Sequence, residues 1–225
     1  MSRGSGSGSN TMTHAAVTII RQEHAALSAM LRSLTLLLAE HRRRDSLPDF
    51  GVLRAMLFYV DEFPEKLHHT KESALLFPKL RARSLQARAV LDRLDRDHAR
   101  GERAIRELEH ELLGFEVMSQ TTQQSSRRER FELALKDYVE FYLDHMRVEE
   151  TVVLPLAEQV LTADDWADID AAFLKNRDPL TGHPPADEYV PLFVRIVHLL
   201  PAPLGLGSAL QALAASGTSK ATDGH

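Results

Sequence analysis

The sequence contains no cysteine. Disulfides, thiolate zinc sites and iron–sulfur clusters are thereby excluded, and any metal the chain binds must be held by nitrogen and oxygen. An excess of positive charge is also missing: 27 Lys and Arg stand against 32 Asp and Glu, a net charge of -5. That balance gives no electrostatic reason to seek nucleic acid or an anionic membrane. The short basic clusters Arg42-Arg43-Arg44 and Arg127-Arg128 read as solvated helix ends or loops. No stretch approaches the roughly 18 apolar residues of a membrane span, and no basic segment leading into an apolar core opens the chain. The expected location is cytoplasmic, with no membrane and no nucleic acid among the partners.

What the chain does have is helical periodicity. Its 225 residues are 44% hydrophobic and 26% charged, enough for one sizeable core. After a Gly/Ser-rich start over residues 1–12, expected to be flexible, Ile20, His24, Leu27, Leu31, Leu34 and Leu38 recur in steps of three and four, which predicts a helix from about Ala15 to His41. A turn signal at Asp45–Asp49 precedes a second predicted helix reaching Leu80. Pro64 falls inside it and should kink it, because proline lacks the N–H that would bond Val60. A third helix is expected over about Ser84–Phe115, with Leu91, Leu94, His98, Glu102, Ile105, Leu108 and Leu112 along one side. A fourth should run from about Ser126 to Gln159.

Beyond residue 160, Thr162-Ala163-Asp164-Asp165 reads as an N-cap and acidic first turn opening a shorter helix to about Asn176. A further helix candidate covers Glu188–Leu200, and residues 201–225 read as a flexible tail. The expected fold is therefore all-α: an up-down-up-down four-helix bundle over residues 13–160, with additional C-terminal helices over 161–200.

The polar residues inside these apolar stripes form an internal repeat. HHTKESALLFP from His68 to Pro78 returns as HMRVEETVVLP from His145 to Pro155, so the pattern H-x3-E-x5-P occurs twice. In a helix, residues i and i+4 share a side, so His68 with Glu72 and His145 with Glu149 each aim an imidazole and a carboxylate at one point. His24 precedes the first copy and His98 the second. Four imidazoles and two carboxylates are costly to bury singly, and metal coordination satisfies them together. A set this rich suits two ions, with Glu72 and Glu149 as bridges. Its nitrogen and carboxylate donors suit iron, with manganese or zinc as competitors.

His69 points about 100° away from His68 in a regular helix, which places it in a supporting or exposed position. Glu150 is displaced from Glu149 in the same way. Tyr142, one turn before His145, is placed to orient a ligand or serve as an ordinary core residue.

The motifs EHAAL at Glu23–Leu27, DEFPEKLHHTKESALLFPKL at Asp61–Leu80, RDHARGE at Arg96–Glu102 and YLDHMRVEETVVLP at Tyr142–Pro155 together resemble the bacterial haemerythrin-like proteins with the HHE cation-binding signature, over about residues 15–160. The resemblance implies a four-helix bundle holding two iron ions with an oxo or hydroxo bridge. In that family one iron has three histidines and the other two, with two bridging carboxylates. Carried over, His24 and His68 hold one iron, His98 and His145 the other, and Glu72 and Glu149 bridge.

The family's fifth histidine falls one turn after His98, where this chain has Glu102. That departure makes Glu102 either a carboxylate ligand or a position replaced by water. The resemblance implies dioxygen or another small ligand as partner, in a carrier, sensor or stress-response protein. Two alternatives stand beside it: an enzyme acting on peroxide or nitric oxide, or an iron donor in iron-centre repair, and a metal-stabilised regulatory or adaptor protein whose C-terminal segment meets an unknown protein partner.

Overall fold

A computed structural model of the chain describes residues 14–176 and 178–181. The Gly/Ser-rich start over residues 1–12, expected to be flexible, the helix candidate Glu188–Leu200 and the expected tail over 201–225 lie outside the described residues. The regular elements of the described residues are all helices, with no strand among them. Helix α1 spans Ala15–Arg43. Helix α2 covers residues 50–83 and begins at Asp49, whose carboxylate accepts the Val52 N–H at 3.1 Å. Helix α3 spans Arg88–Val117, and helix α4 covers residues 124–160. Helix α5, Ala163–Phe173, opens with a capping box in which the Thr162 hydroxyl accepts the Asp165 N–H and the Asp165 carboxylate accepts the Thr162 N–H. The short links between α1 and α4 turn the chain back each time, giving the expected antiparallel bundle.

Two of these helices are not regular. Within α2, Asp61–His68 and Glu72–Leu76 are π-helical, and within α4 so is Glu149–Val153. Their i to i−5 bonds are explicit: the N–H groups of His69, Phe77 and Leu154 donate to the carbonyls of Pro64, Glu72 and Glu149. Proline accounts for the placement. Pro64 lies inside the first π segment, while Pro78 and Pro155 stand two residues past the ends of the other two. A proline in an α-helix lacks an N–H and crowds the carbonyl four residues back, and a wider turn accommodates both defects. The sequence expectation of a kink at Pro64 thus resolves into a π-helical stretch, and the prolines of the repeat mark where each half of the bundle widens.

The core divides into two apolar clusters. One holds Leu27, Leu31, Leu34, Leu53, Leu57, Ile105, Leu112, Phe131 and Leu135 among others. The second, at the opposite end, holds Ile20, Leu76, Phe77, Leu80, Leu91, Leu94, Leu154, Trp166 and Phe173. Between them lies a polar layer, and its residues interrupt the stripe of every bundle helix. On α1 the order is Ile20, His24, Leu27; on α3 it is Leu94, His98, Ile105.

Helix α5 belongs to the second cluster and joins α1 at its start. N-cap His14 gives α1 no side-chain hydrogen bond, but the Asp170 carboxylate of α5 accepts the Ala16 N–H at 2.8 Å. The His14 ring stacks on Trp166 with centroids 4.0 Å apart. A first-turn N–H of α1 is thus satisfied by a residue 154 positions further along the chain.

Candidate metal centre

The polar layer contains His24, His68, His69, Glu72, His98, His145 and Glu149, all buried. Glu72 reaches two ways. Its Oε1 lies 3.2 Å from His68 Nε2, and its Oε2 lies 3.5 Å from His98 Nε2. Glu149 does the same: Oε2 is 3.1 Å from His24 Nε2, while Oε1 is 3.2 Å from His145 Nε2 and 3.7 Å from His98 Nε2. The two carboxylates therefore span an interior with two ends. Candidate ligand atoms of His24, His68, Glu72 and Glu149 lie within 4.8 Å of one another, and so do those of His69, Glu72, His98 and His145.

Beyond these contacts with one another, the inward atoms meet no other polar group among the described residues. The Nε2 atoms of His24, His68, His98 and His145 and both carboxylate oxygens of Glu72 and Glu149 are buried and make no hydrogen bond. Buried polar atoms are normally bonded, and eight such atoms converging on one interior fit a cation site far better than a packed core.

Four of the outer nitrogens, by contrast, are held by hydrogen bonds, and that of His145 faces a carboxylate beyond hydrogen-bond distance. His68 Nδ1 lies 2.7 Å from Glu23, His24 Nδ1 2.9 Å from Glu150, His69 Nδ1 3.1 Å from Glu65 and His98 Nδ1 2.9 Å from the Ser73 hydroxyl, which donates to Asp95. His145 Nδ1 has Asp97 at 3.8 Å. An imidazole whose Nδ1–H is donated to a carboxylate presents Nε2 as its free lone pair, the arrangement that orients metal-ligating histidines.

Burial alone would depress every imidazole here, but the adjoining carboxylates more than offset it. His24, His68 and His98 are raised, and His145 is raised to about 10, chiefly by Glu149 once burial is overcome. His69 goes the other way, well below the usual imidazole value, because burial is reinforced by His98 and His68 beside it. Burial and mutual repulsion oppose ionisation of the two glutamates, yet the surrounding imidazoles keep both depressed. A cation entering this site would displace protons from the imidazoles.

Six of the seven sequence candidates are brought together: His24, His68, Glu72, His98, His145 and Glu149. Glu102 is not. Its side chain is 59% exposed and sits 3.6 Å from Arg106 on the surface of α3. The buried stripe of α3 runs Leu94, His98, Gly101, Ile105, Leu108, so the residue one turn beyond His98 that faces inward is Gly101. The space over Gly101 is filled by the Tyr142 hydroxyl, which a Cβ there would meet at 1.9 Å.

His69, expected in a supporting or exposed position, is buried within the layer. Its ring stacks on His98 with centroids 4.2 Å apart, inside the layer. Behind it, Glu65 Oε2 is paired with Nδ1, while Glu65 Oε1 accepts the hydroxyls of Tyr142 and, at 3.0 Å, of Tyr138. Burial raises the Glu65 carboxyl despite these three donors. The signal available in the sequence was Pro64. A π turn rotates less per residue than an α turn, so His68 and His69 can both face the interior.

Helical architecture and buried donors together define a bundle protein built around a cation site of histidines and carboxylates. The family model described as the hemerythrin HHE cation binding domain matches residues 15–157, more than half of the chain. The chain belongs to that family. No curated protein and no solved structure matches it. No helix among the described residues is long and apolar enough to cross a membrane.

Proposed function

We propose that the chain holds two iron ions, one at the His24–His68 end and one at the His69–His98–His145 end, with Glu72 and Glu149 bridging, and that it binds dioxygen or a related small ligand as a carrier, sensor or stress-response protein. The supporting observation is the convergence of unpartnered Nε2 and carboxylate atoms into two overlapping groups that share Glu72. The unequal histidine count adds to it, because the end with two histidines keeps more room for an external ligand. Imidazole and carboxylate donors without thiolate suit iron, which supplies reversible redox chemistry toward oxygen species. The protein's own part is to fix the imidazoles through Glu23, Glu150, Glu65 and Ser73 and to hold water out with the apolar clusters on either side.

The test is metal analysis of protein from iron-supplemented cells, with absorption spectra before and after oxygen exposure. About two irons per chain and an oxygen-dependent absorption change are expected. Absence of iron, or zinc alone with no spectral response, would reject the reading.

A second reading, turnover of peroxide or nitric oxide, is favoured by the chain Tyr138, Tyr142, Glu65 and His69, which can hold and pass a proton beside the site. Sustained consumption of peroxide or nitric oxide with a reductant would select it over stoichiometric binding. The adaptor alternative rests on Glu188–Leu210, outside the described residues.

A further inference from the structure

The two ends of the buried layer are supported differently. Around His69, His98 and His145, the supporting groups Glu65, Ser73 and Asp97 all come from bundle helices α2 and α3. The His24–His68 end is backed by residues beyond the family match, which stops at 157. Phe173 meets the His68 ring edge to face at 5.9 Å. The Asn176 side-chain amide donates to Glu23 Oε1 at 2.8 Å and Oε2 at 3.1 Å, and that same Oε2 is the partner of His68 Nδ1 at 2.7 Å. Asn176 and Glu23 are both buried. Two residues on, the Asp178 carboxylate accepts the Tyr59 hydroxyl at 2.8 Å and the Leu180 N–H at 2.9 Å. With Glu23, His24, Phe63 and His68, Asp178 lines a cavity of about 10 Å³, room for about one water-sized particle.

From this geometry we propose that the C-terminal segment around Asn176 is a strap on one end of the centre, and that Asn176 is a positioning residue fixing His68 through Glu23. The inference rests on the two-metal reading given above. Glu23 carries one carboxylate for two tasks: it must receive the Asn176 amide and orient His68. Without the amide, a buried carboxylate loses two of its donors, and it can turn away from the imidazole. Among the described residues, the end with three histidines has no such dependence. The centre is therefore predicted to be unequal in retention, with the extension governing only the His24–His68 position.

The test compares the parent protein with Asn176→Leu, which deletes the amide, and Asn176→Asp, which keeps the shape but faces Glu23 with an acceptor. Helix content by circular dichroism identifies folded variants. Iron per chain is then measured, together with its release to a chelator. Loss of a supporting partner of a metal ligand commonly lowers metal affinity by about 10- to 100-fold. Folded variants are expected to fall from two irons toward one, the lost metal leaving at least about tenfold faster than the retained one. Equal loss of both, or parental retention of both, would overturn the strap.

A metal-independent measurement separates this from the function reading. In metal-free protein, the His68 Nδ1–H should be protected from solvent exchange by NMR in the parent and exposed in both variants, with the His98 ring unchanged. If the parent binds no iron but this protection pattern holds, the di-iron reading fails and the positioning role stands. Unchanged His68 protection in the folded variants overturns the positioning role whether or not iron binds.

Discussion

His68 and His69 are consecutive in the chain, yet their rings stand at 77° with centroids 5.4 Å apart and serve opposite ends of one buried layer. His68 joins His24, while His69 joins His98 and His145. The π-helical segments before and after this pair permit it.

Replacing His69 with Ala should therefore empty one end selectively. Iron per chain is expected to fall toward one, while His24 and His68 keep the other ion. The Glu65 carboxyl loses its imidazole partner as well, so a lower melting temperature should accompany the loss. Elemental analysis with thermal unfolding checks both, and full metal content in the variant would show that His69 is not a ligand.

Glu102→Ala should change almost nothing. The residue is an exposed partner of Arg106, and such pairs contribute about 0–1 kcal/mol. Iron content and the absorption spectrum should equal those of the parent. A shifted spectrum would mean that Glu102 reaches the centre in the loaded protein.

Gly101→Ala should be destabilising far beyond its size. The new methyl would meet the Tyr142 hydroxyl at 1.9 Å and the ring carbon behind it at 2.9 Å. Overpacking of this kind costs roughly 1–3 kcal/mol. Denaturant unfolding should show the loss, and adding Tyr142→Phe should recover part of it by removing the nearer atom. No recovery in the double variant would place the clash elsewhere.

Asp178 gives a pH dependence with a definite sign. Burial pushes its carboxyl up from 3.8 to about 7, so the folded chain holds a proton that the unfolded chain releases. Its stabilising contribution is complete below pH 3.8 and is lost as pH rises through about 7, at roughly 1.4 kcal/mol per pH unit in between. In metal-free protein, Asp178→Asn should gain stability relative to the parent across that interval and keep a constant advantage above it. A pH-independent difference between the two would contradict this assignment.

The bundle and most of its donors were legible in the sequence because they rest on period and repetition. Ile20, Leu27, Leu31 and Leu38 mark the α1 stripe, and two copies of one motif place His68 with Glu72 and His145 with Glu149. The failures share a physical cause. Regular helical geometry puts Glu102 on the same side as His98 and turns His69 away, but the inward stripe of α3 passes through Gly101, and α2 is π-helical beside His69. Glu23 and Asn176 are 153 positions apart, and no local pattern announces a hydrogen bond between them.

The Asp170 carboxylate on the Ala16 N–H has a bearing on how the molecule is assembled. A ribosome delivers Ala16 early and Asp170 among the last residues of this body. Until α5 has emerged and docked, the leading turn of the first helix lacks this partner. Asp170 lies beyond residue 157, where the family match stops, so the partner of this leading N–H belongs to the extension rather than to the matched segment.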